Sequence, residues 1–149
     1  HVYISTYLSS CIKDGKLDYL VITEGEKKAD KACLSGIPTI AIPGITMWAD
    51  DLRRAQEKQR YAQEHPDSDS VPPLTFQTPV HREILQCIQM WHVSKILVLM
   101  DSDGYPMDIS ALPLHLKDQV YPVHYLGRKC GVFNREVWRQ CGLLAQALR

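Results

Sequence analysis

Two apolar runs in this chain end in carboxylates. Leu20-Val-Ile-Thr runs into Glu24-Gly25, and Ile96-Leu-Val-Leu-Met100 runs into Asp101-Ser102-Asp103-Gly104. Such runs suit strands buried on both faces, and ligands in open α/β sheets sit beyond the carboxyl ends of the strands. Residues at two such tips converge although they lie far apart in sequence. In Asp-x-Asp the middle side chain can point away while the outer two face one site. Three crowded carboxylates repel one another unless a cation neutralises them. Hard oxygen donors with few neutral partners suit Mg²⁺ or the similar Mn²⁺, which keep waters and bridge to phosphate. Gly25 and Gly104 lack side chains, so a phosphate or nucleotide can approach the backbone there. Amides opening a helix after Gly25 favour an anion. Lys27, Lys28 and Lys31 follow on that helix. They read first as a solvated face, and in a sharper reading Lys27 or Lys28 steers a phosphate toward the acids.

The elements that must position these groups alternate in type. Ile4, Tyr7, Leu8, Cys11 and Ile12 recur at helical spacing, which predicts a short helix over about residues 4–13. A strand over 19–23, a helix over 26–35 closed by Gly36, and a strand over 39–42 make a β-α-β unit. A weakly amphipathic helix follows over 48–64, and His65 to Pro73 reads as a loop by composition. A stripe of Ile84, Leu85, Ile88 and Trp91 predicts a helix over 80–91, before the strand that carries the aspartates. A helical turn over 110–118 and a strand over 120–126 come next. Asn134 then caps a last helix carrying Val137, Trp138, Cys141 and Leu144. The expectation is an α/β layer fold, with a mostly parallel sheet of about four strands flanked by helices.

The chain has 149 residues, the size of one domain. Seventeen basic residues balance seventeen acidic ones. A zero net charge argues against broad electrostatic binding of nucleic acid, so contact with a polyanion is local or carried by a metal. The excess of basic residues from Arg128 to Arg149 is the clearest charge bias, and it reads first as a solvated helix. Five cysteines without a Cys-x-x-Cys pair read as reduced thiols of a cytoplasmic protein. No apolar run approaches the ~18 residues of a membrane helix, and the first residues lack the pattern of a signal peptide. The chain does not open with Met, and it reads as one domain of a longer protein. Trp48, beside Pro43-Gly44, has the chemistry to stack on a base, although packing is the commoner use.

The two acid-tipped strands, in this order, resemble the TOPRIM domain of bacterial-type primases, topoisomerases and related nucleases. Glu24-Gly-Glu-Lys-Lys-Ala-Asp30, followed by Gly36-Ile-Pro, is most similar to the variant in primase-like replication proteins of phages and plasmids. The resemblance spans about residues 18–126, with 46–79 generic, and it implies that the α/β fold is compact and Rossmann-like. It implies that Asp101 and Asp103 bind Mg²⁺ and that Glu24 acts as acid, base or further ligand. It also implies Mg²⁺-dependent nucleotidyl or phosphoryl transfer on DNA, with nucleotides as substrates and other domains, such as a helicase, as partners. Lys28 departs from the pattern, because many relatives carry an aspartate there. A late acid pair, a zinc module and a helicase P-loop are also absent from the sequence.

Other classes compete. A TOPRIM-type nuclease would use the same acids. A non-catalytic domain of that type would bind nucleic acid or a partner protein. Leu97-Val-Leu-Met-Asp101-Ser-Asp103-Gly also resembles the first motif of HAD phosphatases, where Asp101 would be the nucleophile. That motif normally opens its domain, and too little chain follows Asp103 here for the remaining parts.

Overall fold

The computed structural model describes residues 1–66 and 72–149. In chain order the elements are β1 (Tyr3–Ile4), β2 (Leu20–Glu24), α1 (Glu26–Leu34), β3 (Thr39–Ile42), α2 (Asp51–Glu64), α3 (Arg82–Met90), β4 (Ile96–Val98), α4 (Leu114–Lys117), β5 (Tyr121–Tyr125), β6 (Arg128–Val132) and α5 (Arg135–Ala147). Short 3₁₀ turns lie at Thr6–Cys11, Ser102–Gly104 and Ile109–Ala111. The fold is mixed α/β. Its main sheet has four strands in the order β1-β3-β2-β4. β2 runs parallel to both β3 and β4, and β1 is antiparallel to β3.

The central strands form because their residues are β-branched or apolar throughout. Leu20 to Thr23 and Thr39 to Ile42 are buried on both faces, as expected of parallel strands covered by helices. Their register pairs Val21 with Thr39 and Glu24 with Ile42. Leu20, Ile22, Ile40, Ile42, Leu8 and Ile84 join Trp48 and Leu144 in the core. Full burial of each such aliphatic side chain contributes roughly 1.5–3 kcal/mol. α1 turns Ala29 and Cys33 inward, and the backbone N–H of Ile37 closes its last turn on the Ala32 carbonyl at 2.9 Å.

Three expectations are corrected. The short helix expected over 4–13 forms only over Thr6–Cys11, as a 3₁₀ helix with Leu8 buried, and Tyr3–Ile4 is an edge strand. Asp30 explains this choice. It accepts hydrogen bonds from Tyr3 Oη (2.9 and 3.1 Å) and Ser5 Oγ (2.6 Å), tying the N-terminal segment to α1. These bonds and the nearby negative charge push the Tyr3 phenol above its ordinary pKa. The strand over 120–126 does form, but it pairs with β6 in a separate two-stranded sheet. Leu126 (φ 49°) and Gly127 (φ 75°) turn this hairpin, a tight turn that demands positive φ at both central residues. Leu is not the residue expected there, so the hairpin left no clear mark in the sequence. Finally, β4 is only three residues long and lies at an edge, with Leu97 and Leu99 exposed. The loop expected over His65–Pro73 falls largely outside the described residues.

Candidate functional site

The sheet order places the acids. From β3 the chain crosses to the far side of β2 and enters β4, so the strand order changes direction at β2. The crevice beyond the carboxyl ends at such a switch is where open α/β sheets bind ligands. Glu24 is the last residue of β2. Register with β4 runs Leu20–Ile96, Val21–Leu97 and Ile22–Val98, extended by Leu99 N–H donating to Ile22 O at 2.9 Å. The recorded pairing stops there, and Asp101 follows two residues after Leu99. Glu24 and Asp101 therefore stand at neighbouring strand tips.

Gly25 turns the chain from β2 into α1. Its φ of 89° is one that side-chain-bearing residues rarely adopt, and the space a Cβ would enter is open. Its N–H donates to Ile42 O at 3.1 Å, fixing the turn to β3. No side chain among the described residues caps α1, so Gly25 leaves the helix-opening amides uncovered by a cap. Lys27 is exposed. Lys28 forms an ion pair with Asp101 Oδ1, both side chains being about half exposed (53% and 46%). A lysine on the first helical turn thus neutralises one of the two aspartates.

Asp103 is held differently. It lies in the 3₁₀ turn that Gly104 N–H closes on Asp101 O at 3.1 Å. Its carbonyl accepts from Asn134 N at 2.8 Å, and its Oδ2 accepts from Asn134 Nδ2 at 3.1 Å. Its Oδ1 is buried and has no hydrogen-bond partner among the described residues. An unsatisfied buried oxygen costs about 1–3 kcal/mol, more when charged. Gly104 is buried because α5 closes over it. A Cβ there would lie 2.8 Å from Val137 Cβ and 3.2 Å from Trp138 N. The missing side chain thus admits α5, whereas the sequence reading gave that space to a phosphate.

Among the described residues no three His, Cys, Asp or Glu side chains stand together as a ready-made metal site. The donors still suit Mg²⁺ in kind, since this ion commonly takes one or two carboxylates and completes its shell with water and phosphate. Asp103 Oδ1 is a hard donor in need of a positive partner, and Asp101 already holds a cationic group.

Other groups surround the acids. Cys141 on α5 lies beside the Met100 backbone and senses Glu24: burial raises its thiol pKa, and Glu24 adds to the shift. Along the free edge of β4 runs a cavity of about 730 Å³, walled by Leu97, Leu99, Tyr105 and Trp138 and reaching Asp101. Trp48 is not available to a base. It is fully buried, and its Nε1–H donates to Gln140 Oε1 at 2.9 Å. Sequence reading missed two relations, Lys28 with Asp101 and Asn134 with Asp103. Asn134 was legible only as a helix cap.

No helix among the described residues is long and apolar enough to cross a membrane. No curated protein and no solved structure matches the chain. The model of a family described as a domain of unknown function, DUF3854, matches residues 10–87. The match takes in β2 with Glu24, α1, β3 and most of α3, and it ends before β4 and the aspartates. It covers just over half of the sequence, and the chain belongs to the DUF3854 domain family.

Proposed function

We propose that this is a TOPRIM-type domain of Rossmann-like fold that carries out Mg²⁺-dependent phosphoryl or nucleotidyl transfer on DNA, as part of a primase-like replication protein. The observation that carries the reading is that Glu24 ends β2 and Asp101 and Asp103 follow β4, the parallel strand beside it, at the point where the strand order switches. The partnerless buried Oδ1 of Asp103 adds to it. Asp101 and Asp103 would hold the cation, with Glu24 as a further ligand. Bound there, Mg²⁺ stabilises negative charge on the transferring phosphate. Glu24 alternatively holds or moves the proton at the attacking or leaving oxygen. Gly25 and the amides of the first turn of α1 receive phosphate oxygens. Lys28 exchanges its carboxylate partner for phosphate, acting as a point charge. The balanced net charge leaves the bulk of nucleic-acid binding to other domains.

The test is a calorimetric Mn²⁺ titration of the wild type and of Asp101→Asn/Asp103→Asn, followed by primer-synthesis and DNA-nicking assays in Mg²⁺. Saturable binding and turnover, both lost in the double variant, are expected. Turnover that survives Asp101→Asn sinks the metal assignment. A second reading, a domain that binds nucleic acid or a partner without catalysis, is favoured by the Lys28–Asp101 pair, which already satisfies one aspartate. It predicts that Lys28→Met gains no cation binding.

A further inference from the structure

We infer that Asn134 is a positioning residue for Asp103, an assignment that rests on the metal-dependent reading above. Asn134 uses both polar groups of its side chain, on three neighbours. Its Oδ1 accepts from the N–H groups of Glu136 (3.1 Å) and Val137 (3.2 Å), capping α5. Its Nδ2 donates to Asp103 Oδ2 at 3.1 Å. Its backbone N–H donates to Asp103 O at 2.8 Å. The cap fixes which way the side-chain amide faces, because turning it over would set NH₂ against two N–H donors. The amide that faces Asp103 is therefore always the donor. A carboxylate held at one oxygen loses its freedom to rotate, and this sets the place of the other oxygen. That other oxygen is Oδ1, the buried atom without a partner.

Residue choice supports the same conclusion. Ser, Asp and Asn cap helices about equally well. Asn alone of the three pairs a capping oxygen with an amide that can donate to a carboxylate, and a carboxylate is what stands opposite. The close approach of Gly104 to Val137 is a separate feature with the same effect. It lets the first turn of α5 close on the Ser102–Gly104 turn, so that Asn134 reaches Asp103 from both backbone and side chain. Partners of this kind orient ligands, and their loss typically weakens metal binding about 10- to 100-fold.

The experiment compares Asn134→Ser and Asn134→Ala with the wild type, by Mn²⁺ titration and by thermal melting of the same samples. Serine keeps an oxygen for the cap and removes the donor to Asp103, whereas alanine removes both. Asn134→Ser is expected to melt with the wild type yet bind Mn²⁺ about 10- to 100-fold more weakly. Asn134→Ala is expected to bind as weakly as the serine variant and to melt at a lower temperature. Wild-type affinity in Asn134→Ser overturns the inference and leaves Asn134 as a cap alone. Affinity that follows melting temperature across the three proteins overturns it as well. A folded wild type that takes up no Mn²⁺ removes the metal-dependent reading itself, and the positioning role with it.

Discussion

The tips of β2 and β4 are built in opposite ways. β2 is central, five residues long and buried on both faces, and Glu24 continues it without a break. β4 is an edge strand of three residues with Leu97 40% exposed, and its aspartates lie beyond its end. Backbone pairing with β3 holds Glu24, opposite Ile42. Asp101 and Asp103 are held by side chains, namely Lys28 of α1, Asn134 before α5 and the packing of Val137 on Gly104. A carboxylate on a central strand is positioned by the same bonds that make the sheet. A pair at a short edge needs neighbours recruited from distant sequence.

The largest test of this contrast is in the core. Ile22→Ala, at a fully buried position, is expected to cost about 2–5 kcal/mol in urea unfolding. Leu97→Ala is expected to cost less than about 1 kcal/mol, because it exposes little new apolar surface. Equal costs would mean that β4 is covered in solution. Next come the two glycines. Gly25→Ala is expected to cost about 1–3 kcal/mol through backbone strain alone, since its Cβ would meet open space. Gly104→Ala is expected to cost about 1–3 kcal/mol by overpacking Val137. Val137→Ala is then expected to relieve Gly104→Ala and to leave Gly25→Ala unchanged, read as non-additivity in a double-mutant cycle.

A smaller effect is expected at the ion pair. Lys28→Met frees Asp101 and raises Mn²⁺ affinity about 1.4- to fivefold, the equivalent of the 0.2–1 kcal/mol of an exposed pair. An unchanged titration would show that Lys28 and the cation do not compete. The smallest effect concerns α5, which carries the support of Asp103. Hydrogen bonds from Arg139 and then Gln140 lower the Glu136 carboxyl from 4.5 to about 2. Its contribution is therefore fully present above about pH 4.5 and is lost as pH falls through 2. Solvent exposure keeps that contribution below about 1 kcal/mol. Glu136→Gln is expected to flatten this part of the acid limb in melts between pH 5 and pH 2 by the same amount.

Most of the central architecture was legible in the sequence, because it is encoded locally. Continuous apolar runs mark β2 and β3 and begin where a strand must be buried on both faces. Gly25 and Gly36 bracket α1, and Asn134 announces α5. The N-terminal segment misled because Ile4, Leu8 and Cys11 keep helical spacing, while Asp30 draws Tyr3 and Ser5 into a strand and a tighter turn. The hairpin of β5 and β6 was hidden because Leu126 takes a conformation that its residue type does not advertise.

The sequence by itself determined that Glu24 and Asp101 follow strand-forming apolar runs, since such runs are encoded locally. Only the tertiary structure decided what each acid faces. Lys28 lies 73 residues from Asp101, and Asn134 lies 31 residues from Asp103. Periodicity reports burial along one element and carries no information about which two elements meet. Those meetings follow from the order of the strands and from the room that Gly104 leaves for α5.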